Sequence, residues 1–348
     1  MKDLTKFFLG ANSNINFVSY FKQLQEQSDS LQLLILKGGP GSGKSSLMKK
    51  VLNYALLHKH DVEIIPCASD PDSIDAFIDK TADFAMMDGT APHTEDPSLP
   101  GANHHILYTG DLWDTSILRQ NSSKIKSLNG RIGDYHKGAG AYIKAASALL
   151  NENFEYSKKY INKSLVTDFA KKIRHSFSKG NYETEKVRLL SAVSVGEIKY
   201  FKETLPLLAD KIFVIDDEFG GAADLLINKI KHDADFAGTQ IISCPCSIMP
   251  HKTDHIIIPD AKIAVVTQNR FLPIDFGKKT SAESFYRQMP DLSLLKQRSS
   301  DAQMLLGKAC TLVKEAKLLH DDLEEIYKNA MDFSGMNGIF EEIIKKFY

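Results

Sequence analysis

Eight consecutive residues constrain this chain more than any others. Gly38-Gly39-Pro40-Gly41-Ser42-Gly43-Lys44-Ser45 satisfies G-x-x-x-x-G-K-[ST] at every fixed position. The apolar run Leu33-Leu34-Ile35-Leu36 precedes it and the helical pattern SSLMKKVLNYALL follows it, so the spacing predicts a strand, a tight glycine loop and a helix N-terminus in succession. Glycine is needed in such a loop because the backbone must enter conformations closed to other residues and approach its ligand closely. The loop N–H groups and the positive end of the helix then converge on one point, which suits a polyphosphate. On this reading Gly38, Gly39, Pro40, Gly41, Ser42, Gly43, Lys44, Ser45 and Ser46 cradle ATP. Lys44 reaches the β- and γ-phosphates, and the Ser45 hydroxyl ligates Mg²⁺.

The chain also repeats itself at an offset of about 180 residues. KFFLGA from Lys6 answers RLLSAV from Arg188, and SYFKQL from Ser19 answers KYFKET from Lys199. Leu33–Leu36 answers Ile212–Ile215, Ser46–Leu52 answers Asp224–Ile230, Glu63–Cys67 answers Gln240–Cys244, and Phe84–Asp88 answers Ile263–Thr267. Each half ends in a helical stripe: Ile161, Leu165, Phe169, Ile173 and Phe177 in the first, and Leu305, Ala309, Leu312, Ala316, Leu319, Leu323 and Ile326 in the second. Strands alternating with helices predict an α/β fold of tandem P-loop NTPase-like three-layer domains, with mainly parallel sheets and added helical hairpins. Residues 1–183 carry the intact loop and residues 184–348 a degenerate one.

Composition narrows the partners. The 348 residues suit two domains, and 43 basic against 44 acidic residues leave a formal charge of −1, which argues against a whole-chain electrostatic grip on nucleic acid or an anionic membrane. The basic run from Lys158 through Lys179 reads as a solvated helix face. No apolar run exceeds four residues and the opening MKDLTKFFLGANS lacks a signal-peptide core, so a cytoplasmic location is expected, with Cys67, Cys244, Cys246 and Cys310 reduced. Cys244-Pro245-Cys246 with His251 and His255 is weighed as a metal site, but the intervening proline is awkward for chelation and buried or edge thiols are the expectation. His104 and His105 are expected at the surface of a short strand.

In the second half the loop position reads Asp216-Asp217-Glu218-Phe219-Gly220-Gly221-Ala222-Ala223. Ala222 and Ala223 are read opposite Lys44 and Ser45, so nucleotide is expected in the first half alone. Phosphoryl chemistry also calls for a carboxylate on the Mg²⁺ side at the end of a neighbouring strand, and Asp88 is positioned for it. His93, in the loop after that strand, is a candidate to orient a phosphate or a water, and Asp70 or Asp72 to position the water. Gly89 follows Asp88, where many ATPases place a glutamate, so turnover is expected to be slow, with Arg270 or another chain supplying the missing charge. A competing arrangement makes Ile212–Glu218 the metal strand of a single sheet shared with Leu33–Leu36.

GGPGSGKSSLMKK, CASDPDSID, DGTAPH, PGA with GDLWD, and HDDLEEIYKNAMDF together resemble the bacterial tandem P-loop ATPase-like proteins over nearly the whole chain. The resemblance implies two P-loop domains, often with a phosphate loop in each, and DDEFGGAA departs from that pattern. A Mg-dependent ATPase is the favoured function, with a small-molecule kinase or a nucleotide-binding regulatory module as alternatives. The absence of an N-K-x-D signature favours adenine over guanine, and a protein partner or self-association is allowed for.

Overall fold

The computed structural model describes residues 4–28, 30–177 and 185–348. The expected boundary between residues 183 and 184 lies outside the described residues, as does Lys179. The first half runs β1 (Thr5–Lys6), β2 (Gly10–Ser13), β3 (Asn16–Ser19), α1 (Lys22–Gln25), β4 (Gln32–Lys37), α2 (Lys44–Leu57), β5 (Val62–Pro66), β6 (Ile74–Asp79), β7 (Phe84–Asp88), β8 (His104–Tyr108), α3 (Thr115–Gln120), α4 (Ser122–Lys158) and α5 (Lys163–Arg174). The second runs β9 (Lys186–Val187), β10 (Ser191–Val193), β11 (Ile198–Tyr200), α6 (Leu205–Leu208), β12 (Lys211–Asp216), α7 (Gly221–Ala237), β13 (Ile242–Pro245), β14 (Thr253–Ile258), β15 (Ile263–Gln268), β16 (Lys278–Ser281), α8 (Leu292–Asn329) and α9 (Met336–Phe347).

Both halves build a six-stranded mixed sheet in the same order, β1-β5-β6-β7-β4-β8 and β9-β13-β14-β15-β12-β16. In each sheet one strand, β6 or β14, runs antiparallel to its neighbours and the remaining pairings are parallel. Leu33–Leu36 and Ile212–Ile215 therefore lie in different sheets, which rules out the single-sheet arrangement. The repeat is real, but its phase differs from the sequence pairing. Pro66 and Pro245 each follow a bulge at the end of the second core strand, which makes Cys67 the counterpart of Cys246 rather than Cys244. Similarly, Gly43 and Gly220 are the left-handed residues that open α2 and α7, so Gly221 and Ala222 stand opposite Lys44 and Ser45.

The layering also differs from two independent three-layer units. Alternate residues of β4 and β12, such as Leu33, Ile35, Ile212 and Val214, face one shared core with Phe7, Phe8, Leu189 and Phe201 between the sheets. At its centre the Phe8 and Leu189 N–H groups donate to each other's carbonyls at 2.7 and 2.9 Å. The outer faces are each covered by a helix layer. Leu34, Leu36 and Met86 pack with α2 and with Ile343 of the C-terminal α9, and Ile215, Ile256 and Val265 pack with α7 and with Val166, Ala170 and Ile173 of α5. Each half thus lends its last helix to the other half's sheet. The strict four-residue stripe drifts off this face because a helix turns every 3.6 residues, leaving Leu165 42% exposed.

In place of hairpins beside each sheet, α4 and α8 form a long antiparallel pair. Leu128 packs with Leu319, Leu323 and Ile326, Ile143 shares a cluster with Leu306 and Ala309, and Asn153 Nδ2 donates to the Leu295 carbonyl at 2.8 Å. The pair rests on Val193 at the carboxyl end of β10 and on Ile248 and Met249 beyond that of β13. No helix among the described residues is long and apolar enough to cross a membrane.

One buried ion pair joins the halves. Arg188 Nε donates to Glu63 Oε1 at 2.5 Å, with both side chains almost fully buried. Breaking such a pair strands the surviving charge, which costs about 3 to 5 kcal/mol. Glu63→Gln is therefore expected to lower the unfolding free energy by about 3 kcal/mol in urea titration, with Arg188 left unpaired.

Candidate functional site

The glycine loop sits at the carboxyl end of β4, where the chain turns into α2 through Gly43 at φ 81°. Lys44 folds back, its Nζ donating to the carbonyls of Gly38 at 3.1 Å and Gly39 at 2.8 Å and lying 3.6 Å from Asp88 Oδ2. That contact follows from topology: β7 pairs in parallel with β4, and Asp88 sits directly beside Leu36. Asp88 Oδ1 accepts from the N–H and hydroxyl of Thr90 at 2.9 and 2.6 Å, which leaves Oδ2 facing the lysine. Ser45 Oγ accepts from Ser73 Oγ at 3.0 Å. Thr109 Oγ1, at 2.9 Å from Ser42 Oγ, braces the loop from the segment after β8.

The two halves differ most in what their loop N–H groups bond to. In the second half the Asp217 carboxylate lies inside the loop: Oδ1 accepts from Phe219 and Gly220 at 3.2 and 2.9 Å, and Oδ2 from Ala222 and Ala223 at 2.8 and 3.0 Å. An anion belonging to the chain itself thus caps α7. In the first half, among the described residues, the backbone N–H groups from Gly41 through Ser46 donate to no protein acceptor. Gly38 occupies the position that corresponds to Asp217 along the strand, and a Cβ there would fall 2.1 Å from Thr109 Oγ1. The first loop has the same donors and no room for a carboxylate of its own.

Charge follows the same division. Lys252, counterpart of Ser73, reaches over Gly220 and donates to Asp254 Oδ1 at 2.5 Å. Burial opposes its cation, but the charge and hydrogen bond of Asp254, with the charge of Asp217, hold the amine above its ordinary pKa. Arg270 pairs with Glu218 and reaches Gln303, so it serves the second loop and is not a source of charge for Lys44.

His93 proves to be a buried residue, 7% exposed, with its ring on Phe21 at 4.5 Å and Nε2 3.4 Å from Asp75 Oδ2. Burial alone lowers its pKa, but the hydrogen bond and charge of Asp75, with Asp88 behind them, carry it above the ordinary value. Asp75 went unread in the sequence. Its signal was the shared pattern Pro66-Cys67, Pro71, Asp75 against Pro245-Cys246, Pro250, Asp254, visible only in the corrected phase. Asp70 is held 3.4 Å from Lys317 of α8, and the Asp72 carbonyl accepts from Lys49, so neither carboxylate is shown touching the loop.

The carboxyl end of α8 covers the outer side of the loop. A Cβ at Gly41 would lie 2.5 Å from the Glu324 carbonyl oxygen, one at Gly39 would meet Tyr327 and Trp113, and one at Gly43 would meet Phe333 and Met336. No periodicity announces this contact, because it joins residues nearly three hundred positions apart.

The histidine and cysteine candidates resolve differently. No group of three or more His, Cys, Asp or Glu residues among the described residues can hold a metal ion. Burial pushes the Cys246 thiol up to about 12, and His251 bonds to Asn151. His104 is buried rather than exposed, its Nδ1 accepting from the Leu99 N–H at 3.2 Å. No protein-family model, no curated protein and no solved structure matches the chain.

Two outcomes follow. Asp217→Ala removes the internal cap and is expected to lower the unfolding free energy by about 2 kcal/mol in urea titration. His255 stacks on Tyr200 at 5.6 Å, and burial drives its pKa from 6.5 down to about 4. The folded state keeps this ring neutral while the unfolded chain protonates it, so its contribution is present above pH 6.5 and lost as pH falls toward 4. The unfolding free energy of the wild type is expected to fall by about 2 to 3 kcal/mol more than that of His255→Gln between pH 7 and 4.5.

Proposed function

We propose that the first half binds one Mg-ATP per chain at Gly38–Ser46 and hydrolyses it slowly, and that the second half is a closed counterpart that binds no nucleotide. The observation that carries this reading is the contrast between the two loops: the donors that Asp217 satisfies in one are left without a protein acceptor in the other, beside a lysine and a strand-end carboxylate. An anion with several oxygens answers those donors, and the GxxxxGKS spacing makes a triphosphate the best candidate. The P-loop character of the halves and the tandem ATPase-like resemblance belong to this same proposal.

The residues present fit a divalent cation. Ser45 Oγ accepts from Ser73 Oγ at 3.0 Å and from the Ile74 N–H at 3.4 Å, so it would give up the longer of these bonds to a cation; with Asp88 Oδ2, which faces Lys44, it would hold Mg²⁺, which supplies charge neutralisation for the phosphates. Lys44 would exchange its two loop carbonyls for phosphate oxygens. His93 is suited to steady phosphate charge rather than to take a proton, because Asp75 favours its cationic form. The carboxylate that would activate water is not among the contacts of the loop, in keeping with slow turnover.

Calorimetry is expected to give one Mg-ATP per chain, and Lys44→Ala to weaken it roughly 10- to 100-fold, the worth of a charge-assisted hydrogen bond. In a phosphate-release assay Asp88→Asn should abolish Mg²⁺-dependent turnover and Arg270→Ala leave it unchanged. Two equivalent sites, or full binding by Lys44→Ala, would overturn the reading; phosphate appearing on an added metabolite instead of in solution would make the protein a kinase.

A further inference from the structure

Beside the loop lies a cavity of about 180 Å³ that the phosphate reading does not use, several times the roughly 30 Å³ a water molecule occupies in the liquid. One wall is the start of α2, with Gly43, Ser46 and Lys50; the other is the C-terminal segment of the second half, with Phe333, Met336 and Asn337. Two walls from opposite ends of the chain therefore meet over the same helix turn whose N–H groups lack acceptors.

The wall chemistry suits a flat heteroaromatic group. Phe333 is 45% exposed although it abuts the loop, where its Cε1 would come 3.3 Å from a Cβ at Gly43. Met336 adds a polarisable methyl at 3.2 Å from the same point. Asn337 Oδ1 accepts from Lys50 Nζ at 3.0 Å, and no hydrogen bond among the described residues is donated by its amide N–H groups. An exposed ring supplies a stacking face, and an amide supplies one donor and one acceptor for a base edge.

We propose that this cavity takes the base of the bound nucleotide, stacked on Phe333, and that Asn337 selects adenine. A side-chain amide accepts from the exocyclic amine of adenine and donates to the adjacent N7, whereas guanine presents acceptors at both of these positions and leaves the amide oxygen without a donor. The position agrees with the chemistry: a phosphate on the Gly43–Ser46 N–H groups has its nucleoside tethered within reach of a cavity that Gly43 and Ser46 themselves line. This inference rests on the phosphate reading above, and it makes the first half's site depend on residues from the second half.

The test is calorimetry of Mg-ATP, Mg-GTP and inorganic triphosphate with Mg²⁺ against the full chain, Asn337→Ala and Phe333→Ala, each checked for wild-type thermal unfolding. Wild type should bind ATP roughly tenfold or more tighter than GTP and tighter still than inorganic triphosphate. Either variant should bring ATP toward inorganic triphosphate, whose own affinity stays within about twofold. Binding of ATP no tighter than inorganic triphosphate, a preference for GTP, or unchanged ATP affinity in both variants would overturn the base assignment while leaving the phosphate site standing. If inorganic triphosphate does not bind at all and Lys44→Ala changes nothing, both readings fall. Phe333, being partly exposed, tests the pocket even if Asn337→Ala unfolds.

Discussion

A helix entered through a left-handed glycine aims several backbone N–H groups at one point, and buried donors without an acceptor are costly. Both halves of this chain face that demand at the same place in the sheet. The second half meets it internally: Asp217 caps the helix, and the Lys252 cation, paired with Asp254, lies over the same loop. The first half has a glycine where the carboxylate would start and a threonine hydroxyl filling the space beside it. Its loop is therefore left with donors that no group among the described residues satisfies, beside the Lys44 amine and the Asp88 carboxylate.

The exchange of helices gives this loop an unusual setting. Residues that touch it come from α8 and the segment after it, and α9 packs on the sheet behind it. At the other end of the same helix pair, Ser157 and Lys158 of α4 close over Gly221 of the second loop. The two ends of one antiparallel helix pair are thus seated on the two loops.

How much of this was legible depends on sequence distance. The strand, loop and helix around Gly38–Ser45 are consecutive, so their arrangement could be read directly, and the position of Asp88 followed once its strand was placed next to β4. The repeat was legible as well, but the second loop is shorter and α7 has 17 residues against 14 in α2, so the offset changes along the chain, and Cys67 was matched to the wrong cysteine and Lys44 to the wrong residue. His93 lies in the loop after β7 as read, but its burial and its pairing with Asp75 were not legible, because Asp75 sits on the antiparallel strand β6 and strand direction leaves no mark in composition. The helices were recognised as helices, yet their stripes say only that a face is buried. Which sheet receives that face is decided by the paths of residues 159–162 and 330–335, and these carry no periodic signal.

The reciprocal N–H to carbonyl pair of Phe8 and Leu189 has a meaning beyond holding the core together. It is the signature of an isologous contact, in which each partner offers the same group to the other, as in a two-fold symmetric homodimer. Here both partners belong to one polypeptide, so the two sides are free to differ. The Arg188 N–H donates to Ser243 as the Phe7 N–H donates to Ile64, so Phe7, not Lys6, is the counterpart of Arg188; of the two, Arg188 alone forms an ion pair, with Glu63, and only one loop carries its own carboxylate. A homodimer would have to repeat every such choice twice; joining the halves permits one to stay open and the other to become scaffold.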